Sequence, residues 1–92
     1  MPRPRIPRRL SLKPAVVYFK PRGVMMRDLD EVELGADELE ALKLRNVDGL
    51  EQVEVAEKLG VSQPTVVRVL RSAYKKIAEA LVEGKAIKVE ER

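Results

Sequence analysis

The chain has 92 residues, 36% of them charged, a formal net charge of +3, and neither cysteine nor histidine. That length sets one small domain, and the missing residue types exclude disulfides, thiolate metal ligands and the commonest general base. With no Ser-His-Asp set, phosphate-cradling glycine loop or regularly spaced carboxylate cluster, the chain is expected not to be an enzyme and to need no metal or cofactor.

No apolar run approaches membrane-spanning length, and the arginine- and proline-rich start lacks the apolar core of a signal peptide. A soluble, cytoplasmic, nucleoid-associated protein without a membrane partner is expected. Its charge is partitioned. Residues 1–27 carry eight basic side chains and no acid, residues 28–60 eleven acids against three bases, and residues 61–92 seven bases against four acids. Two basic ends around an acidic middle suit a polyanion gripped at both ends; the plainer alternative is solvated surface charge.

In chain order, residues 1–14, MPRPRIPRRLSLKP, hold four of the six prolines. Proline fixes the backbone and removes donors, so an extended, flexible basic arm is expected here. Residues 15–35 form a region of short strands and loop. The run AVVYFK, closed by PRG, reads as a strand, and a second short strand is expected near Val32 to Leu34.

Residues 36–84 form the helical domain. Leu39, Leu42 and Val47 recur at helical spacing, broadened by Ala41 and Leu44, and Asp37 and Glu38 occupy the first turn, giving a helix over about Asp37–Val47 that ends at Gly49. A second helix is expected from Leu50 or Glu51 to Leu59, stopped by Gly60. A third starts after Ser62 and runs to Gly84, about 30 Å long. Residues 85–92 suggest a C-terminal strand or tail, with Ala86, Ile87 and Val89 able to pair with the N-terminal strand.

Gly60 and Pro64 lie four residues apart within one helical pattern. Both fit if the chain turns a tight corner. Gly60 supplies a left-handed backbone angle, Val61 fills the turn, and Ser62 caps the next helix. Pro64 then opens that helix, because a first-turn residue needs no N–H partner. Val55 and Leu59 line one helix, Val66, Val69 and Leu70 the other, and Ala56 sits where the two come closest. This is a helix-turn-helix pattern; a helical hairpin with a glycine corner is the structural alternative.

In a helix-turn-helix the second helix reads the major groove of double-stranded DNA with its N-terminal residues. Removing the buried positions leaves Ser62, Gln63, Pro64, Thr65, Val67, Arg68 and Arg71 on the open side. Gln63 is expected to read adenine, Val67 a thymine methyl, and Arg68 a guanine or a phosphate. Arg71, Lys75 and Lys76 lie further along and are expected to hold phosphates. Arg3, Arg5, Arg8 and Arg9 of the arm suit a narrow minor groove, where negative potential concentrates; a solubility tail is the alternative.

The run from Asp37 to Leu81 resembles the fourth region of bacterial sigma factors, which reads promoter DNA with a helix-turn-helix. Nearly the whole chain is similar to a family of short, functionally uncharacterised prokaryotic proteins predicted to bind DNA. The landmarks are RPR at Arg3 to Arg5, YFKPRG at Tyr18 to Gly23, DELEAL, VAEKLGVS and ALVEGKAI. The family pattern often has an arginine after the serine and an aromatic after the threonine, where this chain has Gln63 and Val66. A cysteine common in the family's N-terminal stretch is also missing, which argues against an obligatory metal or redox role.

The fold class expected is therefore mainly α: three helices resembling sigma region four, a basic flexible N-terminal arm, and short N- and C-terminal strands. The function expected is a DNA-binding transcriptional regulator, as a homodimer, since one small unit supplies few base contacts. Helix 3 past Lys76, with Ile77, Ala80 and Leu81, and the terminal strand are the candidate interface; the same residues suit the monomer's own core. The alternative is a protein-interaction module docking on the transcription machinery, RNA polymerase in particular, through the acidic segment Asp28 to Glu40.

Overall fold

The computed structural model describes residues 16–90. Three short strands, β1 (Val16–Phe19), β2 (Glu31–Leu34) and β3 (Ala86–Glu90), make one sheet in the order β1-β3-β2. The last strand in sequence is thus the central one. It runs antiparallel to β1, with Val17 opposite Val89 and Phe19 opposite Ile87, and parallel to β2, with Leu34 opposite Val89. A parallel pair needs a long crossover, and here the whole helical region between β2 and β3 provides it.

Alternation along the strands sends Val17, Leu34, Ile87 and Val89 to one face, where they pack with Ala73, Leu39, Leu42 and Ile77. The other face carries Tyr18, Lys88 and Glu33 side by side.

The helices are α1 (Ala36–Leu42), α2 (Gln52–Leu59) and α3 (Gln63–Glu83). They enclose a second apolar cluster of Ala41, Leu44, Val55, Ala56, Val66 and Leu70. With Val66 and Leu70 turned to the other helices and Ala73 to the sheet, α3 is the wall shared by both clusters. It ends at Gly84, whose φ of 72° allows the sharp exit into β3.

The first helix reaches Val47 as expected, but its last turn is not α-helical. Residues Lys43–Val47 form a π-turn, in which the Asp48 amide donates to the Lys43 carbonyl at 2.9 Å. Such a turn advances each residue by less than the roughly 100° of an α-helix. Val47 is consequently rotated out to 79% exposure rather than joining the buried stripe, which centres on Ala41 and Leu44.

Ile77 packs partly buried against the sheet cluster and Ala80 is buried, while β3 is paired on both edges. These residues close the monomer, so of the interface candidates only Leu81 remains outward. Among the described residues no helix is long and apolar enough to cross a membrane.

Candidate nucleic-acid interface

The corner between α2 and α3 is built by backbone bonds. Gly60, at φ 72° and ψ 34°, donates to the carbonyls of Ala56 and Glu57, and the Val61 amide donates to Ala56 as well. This doubled return closes α2 and needs the left-handed angle that glycine adopts at little cost. Ser62 begins the next helix: its hydroxyl accepts from the Thr65 amide at 3.3 Å, with Pro64 in the first turn. The expected cap and proline placement are both present.

Val61 does not fill the turn. It is 40% exposed, because the loop is too short for a side chain to enter once both amides fold back on Ala56. The interior is filled from the helices by Ala56, Val66 and, partly buried, Leu59.

Beyond the corner, Ser62, Gln63 and Pro64 are exposed, and Thr65 and Val67 are half-buried rather than open. The Thr65 hydroxyl lies 2.9 Å from that of Ser62 and accepts from Arg68 at 3.4 Å. The cap is therefore connected through Thr65 to the first arginine. Arg68, Arg71 and Lys75 are all exposed. Their spacing of three, four and seven residues aligns them in one ridge, about 10 Å long, on the side of α3 opposite Val66 and Ala73. Among the described residues, no carboxylate lies within salt-bridge distance of Arg68 or Arg71.

Lys76 stands apart from the ridge, contrary to its expected phosphate role. Its ammonium donates to Glu38 Oε1 at 2.9 Å and to the Glu33 carbonyl at 2.7 Å. One residue beyond Lys75 lies about 100° further around the helix, which turns Lys76 toward β2 and α1. Arg3, Arg5, Arg8 and Arg9 lie outside the described residues.

Glu38 is the buried partner in that pair, at 7% exposure, so the acidic segment does not present it to a partner. It also accepts from the Gly35 amide at 2.8 Å and from the Ser72 hydroxyl at 2.7 Å. Burial pushes its carboxyl up, but the bonds from Gly35, Ser72 and Lys76 together outweigh it and hold the group below the ordinary glutamate value. This one side chain caps α1 and fastens α1 and β2 to the middle of α3. The Gly35-x-x-Glu38 spacing signals the capping half; nothing local signals Ser72 or Lys76. A second unforeseen tie joins the Tyr74 hydroxyl to Asn46 Oδ1 at 2.7 Å, from α3 to the π-turn.

Glu51, which caps α2, and Glu54 and Glu57 on it are all exposed, and the Glu51 amide donates to Glu54 Oε1 at 3.0 Å. These carboxylates make the surface around α2 negative, in contrast to the basic ridge of α3.

The family described as "Protein of unknown function DUF134" matches residues 1–91 of the chain. Among curated proteins, a UPF0251 protein of Moorella thermoacetica is 56% identical over 90 residues, covering 98% of this chain and 60% of that protein. A UPF0251 protein of Thermoanaerobacter pseudethanolicus is 53% identical, covering 98% of this chain and 76% of its own length. One of Desulforudis audaxviator is 48% identical with 98% and 59% covered. The chain thus spans between about three-fifths and three-quarters of these relatives. No solved structure matches it.

Proposed function

The chain belongs to the DUF134 family, and from that premise we propose that it is a duplex-DNA-binding transcriptional regulator whose α2–corner–α3 unit works as a helix-turn-helix. The observation that carries this reading is the ridge Arg68–Arg71–Lys75, exposed on the helix that follows the three-residue corner Gly60–Ser62. Gln63 and Arg68 stand at that end and read base edges; Arg71 and Lys75 take phosphates. The Thr65 hydroxyl pre-positions Arg68, which lowers the ordering cost of its contact. In the proposed complex, the acids of α2 keep that helix off the phosphate ridge, so the grip falls to α3 and the arginines of residues 1–14.

The direction of β1 supports a joint role for arm and helix. Val17 lies in the cluster around Ala73, whereas Phe19 lines the same groove as Ala80 and Leu81. Traced backwards from Phe19 to Val17, the strand heads toward the N-terminal half of α3.

The test is selection of bound sequences from random duplex DNA, followed by titration in increasing salt. A defined sequence motif and affinity that falls steeply with salt are expected. Gln63→Ala should relax preference at one position and leave nonspecific affinity nearly unchanged. Retention by polymerase after nuclease treatment, without salt-sensitive duplex binding, would instead favour docking through the acidic segment Asp28 to Glu40.

A further inference from the structure

Beside the basic ridge, and overlapping it at Tyr74 and Lys75, α3 carries an apolar strip toward its C-terminal end: Tyr74 is exposed at 43%, Leu81 at 75% and Val82 at 83%, with Ala78 exposed between them. Tyr74, Ala78 and Leu81 follow one another by four and three residues, the spacing of a helix–helix seam. None of them is needed by the core, which α3 fills with Val66, Leu70, Ala73, Ile77 and Ala80. Phe19, 60% exposed, shares a groove with Leu81 and extends the patch. Together they leave apolar surface on the order of 400 Å², about the size of the largest patch on an ordinary monomer, which is often functional.

We propose that a second copy of this chain docks along this seam, α3 against α3 in antiparallel two-fold symmetry, to form the DNA-binding dimer. The pattern is self-complementary, as a two-fold contact requires. With the axis between Ile77 and Ala78, Tyr74 of each copy faces Leu81 of the other, and the two Ala78 residues meet at the crossing. The small alanine permits a close approach where the helices cross.

The same register makes a second match, which rests on the DNA-binding reading. The segment Gln63–Arg68 is centred twelve residues from the axis, so two copies stand about 36 Å apart along the helix direction. That equals one turn of B-DNA, the spacing of paired half-sites. A two-fold axis perpendicular to both helices also turns both ridges, Arg68 and Arg71 included, to the same side. A single duplex can then meet both. The patch is about half the 800 Å² per partner of a standard interface, so DNA is expected to complete a weak dimer.

Sedimentation of the full chain over micromolar to submillimolar concentration tests the interface directly. Wild type should shift from monomer to dimer across that range, and Ala78→Arg and Leu81→Glu should remain monomeric with unchanged helix content and thermal midpoint. A second measurement uses duplexes carrying one half-site, or two spaced one turn apart. Ala78→Arg should bind the single half-site as wild type does, and lose on the order of 100-fold on the paired sites. A wild type that stays monomeric overturns the proposal, whether the seam is bare or covered by the chain's own residues 1–15. Dimers that resist both substitutions overturn the placement. An Ala78-sensitive dimer that binds no duplex supports this interface and overturns the DNA-binding reading instead.

Discussion

Glu38 and Lys76 lie 38 positions apart in sequence, yet their side chains meet at 2.9 Å where α1, β2 and α3 converge. The carboxylate is nearly buried, with a side-chain exposure of 9%, while the ammonium keeps 36%. Replacing Glu38 by alanine removes the acceptor for Gly35, Ser72 and Lys76 at once, leaving donors facing a packed junction. A loss of about 2 kcal/mol is expected, read by urea unfolding near neutral pH.

The same site sets an acid limit. Because the folded protein holds the Glu38 carboxyl below its ordinary value of 4.5, the unfolded chain binds the proton more readily. The contribution is fully present above the ordinary value and is lost as pH falls through the lower, folded one. Urea midpoints of wild type should therefore fall more steeply than those of Glu38→Gln as pH drops below 4.5. Parallel curves for the two proteins would show that another carboxylate sets the acid limit.

Gly60 isolates a backbone effect. A Cβ built there meets nothing within 4 Å, so no clash accompanies substitution. What remains is the cost of holding an L-residue at φ 72°, about 1–2 kcal/mol for Gly60→Ala. Asn, which visits that region more readily, should recover part of the loss. Thermal midpoints of the two variants give the comparison; equal midpoints would mean that the corner relaxes out of the left-handed region.

These corner residues were legible because their signals are local. Gly60, Ser62 and Pro64 each satisfy a need of the two or three residues around them, and the three strands and three helices fall close to where composition and periodicity put them. Long-range choices left weaker traces. That β3 would be central, pairing both β1 and β2, depends on which sheet face meets Ala73, and no single strand encodes that. Lys76 gives no local sign of its partners for a similar reason: it shares a helix stripe with half-buried Val69 and exposed Ser72, and only the fold brings Glu38 and the Glu33 carbonyl to that stripe. The π-turn at Lys43–Val47 escaped because its residues read as ordinary helix, and the extra residue per turn is imposed by closure onto Leu50.

Ala56 tests the closeness of α2 and α3. It is 7% exposed in the helical cluster, and its carbonyl takes the returning amides of Gly60 and Val61. Ala56→Leu must push the helices apart at the point where the corner is shortest. A destabilisation of about 1–3 kcal/mol is expected from overpacking, with loss of any duplex affinity that depends on the corner's angle. A variant of wild-type stability would place a cavity beside Ala56 that the packing described above does not contain.

Adjacent in the Lys75–Lys76 pair and one turn from Arg71, the two kinds of cation on α3 should separate cleanly by experiment. Lys76 is committed to Glu38 and the Glu33 carbonyl, so Lys76→Ala should cost about 1 kcal/mol of stability, a solvent-discounted value for a half-exposed charged hydrogen bond. It releases no phosphate-bound counterion, and the slope of log affinity against log salt should stay unchanged. Arg71 has no carboxylate within salt-bridge distance among the described residues. Arg71→Ala should therefore leave unfolding unaltered while reducing the salt slope by about 1. Salt titrations of duplex binding for both variants, set beside their urea curves, make the check. If Lys76→Ala lowered the slope and Arg71→Ala did not, the polyanion would lie against α1 and β2 rather than along the exposed ridge.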